Sequence, residues 1–251
     1  MEGKIIALWL IAGATVHAGI LTINSTAPVS NDPVSYAGTG AGTNIKNDGL
    51  TRGNTFLMGD AGGVNTQWSL NQLTVQKRGA FTAINANDTV KLWIFEWNGT
   101  DGNDISSWTN GNGVADSDPL NGTGVGNVLV DGEVFALPAS IAADDYLHFD
   151  YNASPLVLDE NTAYGFLIQY GTDGSATADS INFGLYNGNP GTYADGQLLG
   201  VTYSGTPANN FVATQDMAFW VNAEAIPEPA TIGLIAGMGV SVLFIRRRFM
   251  M

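Results

Sequence analysis

The sequence predicts an all-β protein in which two antiparallel sheets pack as a sandwich of the jelly-roll type. Short apolar alternations recur along the chain, and Gly, Asn and Asp separate them. β-Branched and aromatic residues are enriched within these segments, as is typical of strands. Between the two ends of the chain, no long segment repeats apolar residues at helical spacing, so helices are expected to be brief or absent.

The alternations place the strands in a definite order along the chain. Residues 31–60 are crowded with Gly, Asn and Thr, which predicts an irregular lead-in whose strand covers 51–58. The other predicted strands are 68–76, 90–97, 128–135, 146–151, 163–170, 181–186, 198–203 and 216–221.

The segment VKLWIFEW, residues 90–97, is apolar on both of its faces. Side chains alternate across a strand, so one face carries Val90, Leu92 and Ile94. The opposite face carries aromatic residues instead, Trp93, Phe95 and Trp97. A strand of this kind is expected at the centre of a sheet, with at least one face in the core.

Charge and composition exclude several classes of function. The chain has 9 basic and 23 acidic residues and a formal net charge of −14, which argues against nucleic acid and anionic lipid as partners. It has no cysteine, so the fold must rest on its own core and a thiol nucleophile is excluded. The two histidines, His17 and His148, cannot build a histidine-cluster zinc site. Any catalysis would therefore have to be carboxylate chemistry. We predict no catalytic residue, and no cofactor other than a structural calcium ion.

The N-terminus has the features of a secretory signal peptide. Lys4 precedes an apolar stretch over residues 5–16, which is too short to span a membrane permanently. The stretch ends in Val16-His17-Ala18, with a small residue at the expected cleavage position. We predict a signal peptide over 1–18 and an exported domain over 19–226. The alternative is that the apolar stretch is a buried strand or helix of a cytosolic domain.

The C-terminus carries a second apolar segment. Residues 230–245 are uncharged, and they precede Arg246, Arg247 and Arg248. Such a segment is short but adequate for a membrane helix, and the arginines would keep their end in the cytoplasm. The residues before Pro227 are then expected on the outer side of that membrane.

Pro227, Glu228 and Pro229, followed by the apolar segment and the arginine cluster, resemble the PEP-CTERM sorting signal of bacterial surface proteins. The resemblance covers residues 227–251. It implies that an exosortase-type membrane protease recognises this region and cuts near it, so that the protein is anchored in the inner membrane only transiently before it reaches the cell surface or extracellular matrix. The alternative is a permanent anchor. Residues 137–170 also resemble the jelly-roll modules that often precede such signals.

One long interruption, residues 98–127, separates two predicted strands, and loops of this length are often functional. Its carboxylate and amide oxygens are the ligands that calcium prefers. The residues that could bind a structural calcium are Asp101, Asn103, Asp104, Asp116 and Asp118. The alternative is that these acids are simply solvated at the surface.

Sugar binding on a sandwich requires exposed aromatic rings beside polar neighbours. Trp108, in a polar stretch, and Tyr193, in NPGTYADG, are the two aromatic residues selected on this basis. Trp93 and Trp97 are ambiguous, because an aromatic residue in a strand belongs more often to a core.

A glycosidase would need two carboxyl groups about 5 to 10 Å apart. Glu96, Glu133 and Glu160 were considered, but no local pattern selects a pair. The sequence therefore predicts a non-catalytic structural or adhesive surface protein, with extracellular polysaccharide as its candidate partner. The alternative is a carbohydrate-active enzyme on a sandwich fold, either a glycosidase or a lyase.

Overall fold

The computed structural model describes residues 18–28, 33–36, 42–46, 51–63, 65–77, 88–99, 120, 124–138, 141–171, 180–187, 193, 195–201 and 215–227. Within these ranges the chain forms strands and no helix. The strands are β1 (Ile20–Asn24), β2 (Val34–Tyr36), β3 (Gly42–Lys46), β4 (Thr51–Leu57), β5 (Asn65–Gln76), β6 (Thr89–Trp97), β7 (Val125–Ala136), β8 (Tyr146–Asp150), β9 (Leu156–Asp159), β10 (Ala163–Gly171), β11 (Ser180–Asn187), β12 (Leu198–Val201), β13 (Gln215–Met217) and β14 (Phe219–Pro227).

Two large antiparallel sheets organise these strands. The six-stranded sheet has the order β1-β8-β5-β14-β2, and β9 also pairs with β5. The five-stranded sheet has the order β12-β4-β10-β6-β7. A smaller, three-stranded sheet has the order β13-β11-β3. The predicted all-β, two-sheet antiparallel architecture is confirmed.

The main core lies between the two large sheets. Phe56 of β4 and Phe166 of β10 come from the five-stranded sheet, and Phe219 of β14 comes from the six-stranded sheet. The ring of Phe219 lies 6.0 Å from that of Phe56 and 5.6 Å from that of Phe166. All three side chains are almost completely buried. The sheets therefore pack face to face, as in a sandwich.

A second apolar cluster covers the outer face of the five-stranded sheet. Its buried members are Trp93, Phe95, Trp97, Leu167 and Leu199, and Leu120 packs against them. On the same strand β6, Val90, Leu92 and Ile94 belong to the main core instead. The prediction that VKLWIFEW buries both faces is confirmed, because apolar clusters lie on each side of this sheet.

The structure differs from the predicted strand positions at several places. The lead-in 31–60 is not irregular up to residue 51, because β2 and β3 lie within it. The segment 216–221 is not one strand, because Ala218 separates β13 and β14, which belong to different sheets. A third boundary also differs: β7 begins at Val125, inside the interruption predicted over 98–127. β1 and β9 were not predicted at all.

A buried lysine supports the turn that leads into β8. Lys77 is fully buried, and its Nζ donates hydrogen bonds to the carbonyl oxygens of Ile141 and Ala142. Burial lowers the pKa of Lys77 to about 8, although Asp145 and Asp144 act in the opposite direction. The Asp145 carboxylate accepts the backbone N–H of Ala142 at 2.8 Å, and Asp144 has a φ of 67°. Asp144 and Asp145 thus lie in the turn that precedes β8.

Within the part of the chain that the structure describes, no helix is long and apolar enough to cross a membrane. The predicted signal peptide up to residue 17 and the segment 228–251 lie outside the described residues.

Candidate functional site

Most of the site residues predicted from the sequence lie outside the described residues. These are Trp108, Asp101, Asn103, Asp104, Asp116, Asp118, Glu228, Pro229, Arg246, Arg247 and Arg248. Among the residues that are described, no group of three or more His, Asp or Glu side chains is arranged to bind a metal ion. Tyr193 and Pro227 are the two predicted residues whose places can be reported.

Tyr193 packs against the main core. Its ring meets that of Phe219 edge-on, with centroids 5.4 Å apart, and lies 6.5 Å from the ring of Tyr36. Its hydroxyl oxygen accepts the backbone N–H of Leu57 at 3.3 Å. Burial raises the pKa of Tyr193 to about 12. The side chain is half-buried, so its ring supports the core with one part and leaves another part exposed.

A different aromatic group lies on the outer face of the six-stranded sheet. In β8, Leu147 and Phe149 point into the main core, so the alternation of the strand directs Tyr146, His148 and Asp150 to the opposite face. In β14, Phe219 and Val221 point into the core, which directs Trp220 to the same outer face. Strand alternation therefore directs these aromatic and polar side chains to the same face of the sheet.

The register of the strands aligns these residues across the sheet. His148 lies opposite Thr22 of β1 on one side and opposite Thr74 of β5 on the other. Thr74 in turn lies opposite Trp220 of β14. In the next row, Tyr146 lies opposite Gln76. We call the group formed by Tyr146, His148 and Trp220 the aromatic platform.

The rings of the aromatic platform contact one another across β5. Tyr146 meets Trp220 edge-on, with centroids 5.3 Å apart and an interplanar angle of 70°. The Tyr146 ring is also stacked beside His148, at 6.2 Å and 27°. Trp220 is only 7% exposed, whereas Tyr146 is half-buried. Tyr146 is therefore the ring of the platform that an external molecule can reach, and Trp220 supports it.

Polar side chains surround the platform. Gln76 donates from Nε2 to the hydroxyl oxygen of Tyr146 at 3.2 Å. The Thr74 hydroxyl donates to Gln72 Oε1 at 3.3 Å and lies 2.9 Å from Nδ1 of His148. When the single Thr74 proton is directed to Gln72, Thr74 accepts Nδ1–H of a neutral His148 ring and Nε2 is its acceptor nitrogen. Nε2 is buried and has no hydrogen-bond partner among the described residues.

His148 is expected to make folding sensitive to mild acid. Burial lowers its pKa below the ordinary value of 6.5, and the Asp150 carboxylate offsets this only in part. The unfolded chain therefore takes up a proton at a pH where the folded chain does not, so stability is lost as the pH falls below about 6.5. We predict a smaller loss of stability between about pH 7.5 and 5.5 in His148→Asn, measured as the urea midpoint at each pH. Asn is chosen because its amide retains a polar group beside Thr74.

Asp150→Asn is the matched variant for this test. Removing the carboxylate removes the interaction that raises the pKa of His148, so acid sensitivity in this range is expected to increase. An unchanged pH dependence in His148→Asn would show that another group controls it.

The three glutamates considered for glycoside hydrolysis lie in different places and make different contacts. Glu96 accepts the backbone N–H of Asn127 at 3.4 Å, and Glu160 accepts that of Ala61 at 3.2 Å. Glu133 accepts the hydroxyl of Tyr151 at 2.8 Å and the backbone N–H of Gly19 at 2.7 Å. Each carboxylate is thus hydrogen-bonded to the fold around it.

Sequence reasoning missed the aromatic platform. Tyr146 and Trp220 were assigned only to strands, and His148 only to the absence of a zinc site. The alternation in YLHFD, residues 146–150, could have indicated that Tyr146, His148 and Asp150 share one face, but it carries no signal for Trp220.

No protein-family model matches the sequence, and no curated protein matches it. Among solved structures, the chain is similar to a clostridial cysteine protease, Cwp84, determined after propeptide cleavage. The sequence identity is 9% and the TM-score is 0.40, over 73% of this chain and 38% of that one. The chain thus matches well under half the length of that protein, and a likeness at this level carries no argument about fold or function.

Proposed function

We propose that this protein is an exported component of the cell surface or extracellular matrix with a non-catalytic, adhesive or structural role. In this proposal a PEP-CTERM signal sorts it and an exosortase-type membrane protease processes it. The folded domain then binds polysaccharide through the outer face of the six-stranded sheet.

One observation carries the binding part of this proposal. The outer face presents Tyr146 as a half-buried ring supported by Trp220, and the half-buried side chains of Gln72 and Asp150 lie further along the same face. A pyranose ring stacks its C–H face on an aromatic ring, while neighbouring polar groups bind its hydroxyls. Gln72 and Asp150, which lie opposite each other one row beyond Thr74 and His148, supply such polar groups.

The negative charge of the protein disfavours acidic polysaccharides as ligands. The chain has a formal net charge of −14, so a polymer rich in carboxylate or sulfate would be repelled. We therefore propose a neutral polysaccharide as the ligand.

We also propose that the sandwich is a jelly roll. In chain order, the eight strands β2, β4, β5, β6, β7, β8, β10 and β14 are arranged as first-eighth-third-sixth in one sheet and second-seventh-fourth-fifth in the other. This arrangement is what two Greek keys wound together produce, and it supports the proposal. β1 and β12 then extend the two sheets at their edges.

Sorting is supported by the sequence of the C-terminal segment together with the position of Pro227. Pro227 is the exposed last residue of β14 and the first residue of the proposed sorting signal. Proline has no N–H to donate to a sheet, which makes it suitable at the end of a strand. A membrane protease would meet the Pro-Glu-Pro region immediately beyond the fold.

Mass spectrometry of the exported protein tests the sorting proposal. We expect the mature C-terminus near residues 227–229, because the exosortase-type protease is proposed to cut there. A mature chain that retains residue 251 would instead indicate a permanent anchor. A reporter fused just before Pro227 and found active only in the cytosol would contradict export itself.

The binding proposal predicts a specific loss in Tyr146→Ala. Aromatic contacts contribute about 0.5–1.5 kcal/mol each, so affinity for the bound polysaccharide should fall by up to about tenfold. Tyr146→Phe keeps the ring and should lose much less. Affinity electrophoresis or calorimetry on a polysaccharide selected with a glycan array measures the effect.

Val157→Ala is the control, since Val157 is 47% exposed on β9 of the same sheet but lies away from the platform. Equal binding by Tyr146→Ala and the wild type would contradict the site. Release of new reducing ends or unsaturated products would favour a glycosidase or lyase. Binding to no polysaccharide would favour a purely structural role.

A further inference from the structure

Gly19 is held at its backbone nitrogen by a side chain from a distant strand. Its N–H donates to Oε1 of Glu133, in β7, at 2.7 Å. Ala18, the residue before it, is exposed. β1 begins directly afterwards, with Ile20 paired to Asp150. The backbone nitrogen of Gly19 is thus fixed at the point where the chain enters the six-stranded sheet.

The carboxylate of Glu133 is itself fixed in place. Its second oxygen, Oε2, accepts the hydroxyl of Tyr151 at 2.8 Å. Tyr151 is fully buried, and its pKa is raised by burial and further by its contact with Glu133. Among the described residues, Glu133 has these two donors and no basic side chain as a partner.

The space around residue 19 favours glycine. A Cβ at this position would lie 2.9 Å from Cε1 of Tyr151 and 3.2 Å from Cε1 of Phe135. A Cβ only 2.9 Å from the Tyr151 ring would force that ring to shift, and the shift would disturb the hydrogen bond between Tyr151 and Glu133. Gly19 can therefore bring its nitrogen to the carboxylate, while a residue with a side chain cannot without displacing the ring.

The sequence predicts signal-peptide cleavage at the same place. Val16-His17-Ala18 ends the apolar leader, so the bond expected to break is the one between Ala18 and Gly19. The residue whose nitrogen contacts Glu133 is thus also the residue that the leader pattern predicts as the first of the mature chain.

We propose that Glu133 is the binding site for the mature N-terminus of this protein: after cleavage, the α-ammonium group of Gly19 forms an ion pair with the Glu133 carboxylate, which Tyr151 positions. Hydrolysis of the Ala18–Gly19 bond by a signal peptidase consumes one water molecule. Ala18 leaves with a carboxylate, and the nitrogen of Gly19 becomes an amine that is protonated at neutral pH. The inference rests on the proposed export of the protein.

Cleavage changes the strength of an existing contact rather than its geometry. Before cleavage, a neutral amide N–H faces a carboxylate, and afterwards a cation faces it. Hydrogen bonds with a charged donor and a charged acceptor are shorter and stronger than those with a neutral donor. The processed chain is therefore expected to anchor β1 more firmly than the precursor does.

The reactivity of the N-terminal amine tests this inference. It is measured on the protein expressed from its full sequence and recovered after export. Mass spectrometry should identify Gly19 as the first residue. We then expect an acetylating reagent to modify the Gly19 amine about tenfold more slowly in the wild type than in Glu133→Gln, because the ion pair keeps the nitrogen protonated and covered. Glu224→Gln, a change at an exposed residue of β14, should react like the wild type.

Lys77 reports whether each variant remains folded, because it is fully buried and should stay unmodified in every folded sample. Tyr151→Phe is a second variant, which keeps the carboxylate but removes its positioning hydroxyl. It should give an intermediate rate.

The outcomes separate this inference from the proposed function. An uncleaved chain in the cytosol would overturn both. An exported chain that begins at another residue would overturn only the inference. A Gly19 amine that reacts equally fast in the wild type and Glu133→Gln, with Lys77 unmodified in both, would show that the terminus forms no such pair.

Discussion

Phe219→Ala is expected to lower the free energy of unfolding by about 3–5 kcal/mol. Phe219 is fully buried, and its ring contacts those of Phe56, Phe166 and Tyr193 at centroid distances of 6.0, 5.6 and 5.4 Å. These contacts join the six-stranded sheet to the five-stranded sheet, so truncation leaves a cavity between two rigid layers that cannot close it. Urea denaturation of the exported protein, followed by tryptophan fluorescence, measures the change.

Val134→Ala is the control for Phe219→Ala. Val134 is 56% exposed on β7, so its truncation should change stability by less than about 0.5 kcal/mol. Phe219→Leu should lie between the two, because it keeps part of the buried volume. A loss below about 1 kcal/mol in Phe219→Ala would mean that the sheets do not pack through this ring.

Gly53→Ala is expected to destabilise the protein by about 3 kcal/mol or more. Gly53 lies in β4, opposite Leu167 of β10 on one side and Leu199 of β12 on the other. A Cβ here would overlap the carbonyl oxygen of Phe166 and lie 3.0 Å from the Cα of Leu167. Because these are backbone atoms of the paired strand, no rotamer change relieves the clash. The substitution must separate β4 from β10.

Gly59→Ala is the matched control, since a Cβ at Gly59 would have no atom within 4 Å. This variant should be neutral or slightly more stable, because alanine restricts the unfolded chain. Thermal unfolding of the two variants in parallel compares them. Equal melting temperatures would contradict the close approach of β4 and β10.

The sequence predicted the strands with strong local patterns and missed β1, β2, β3 and β9. β6 was found because it is a nearly continuous run of apolar residues. Such a run can be recognised without knowing its neighbours in the sheet. β2 has three residues and β9 has four, and such strands are formed by pairing with longer partners. Ala218 separates two strands that join different sheets, which is a property of the three-dimensional arrangement rather than of the local sequence.

The candidate site was less predictable for a related reason. Local alternation shows that Tyr146 and Leu147 point to opposite faces, but it does not show which face is covered by a second layer. Nor does it show that Trp220, distant in sequence, comes within 5.3 Å of the Tyr146 ring. The same holds for Glu133, which was considered as a catalytic acid and lies instead against Gly19 and Tyr151.

The apolar cluster formed by Trp93, Phe95, Trp97, Leu167 and Leu199 makes the two sides of the sandwich unequal. Since that cluster occupies the outer side of β6, β10 and β12, the proposed function uses, among the described residues, only the outer face of the six-stranded sheet. With one such face, a single copy would tether itself to one polysaccharide strand rather than bridge two. Cross-linking a matrix would require copies joined to one another, and the avidity of such an assembly would depend on how its members are spaced.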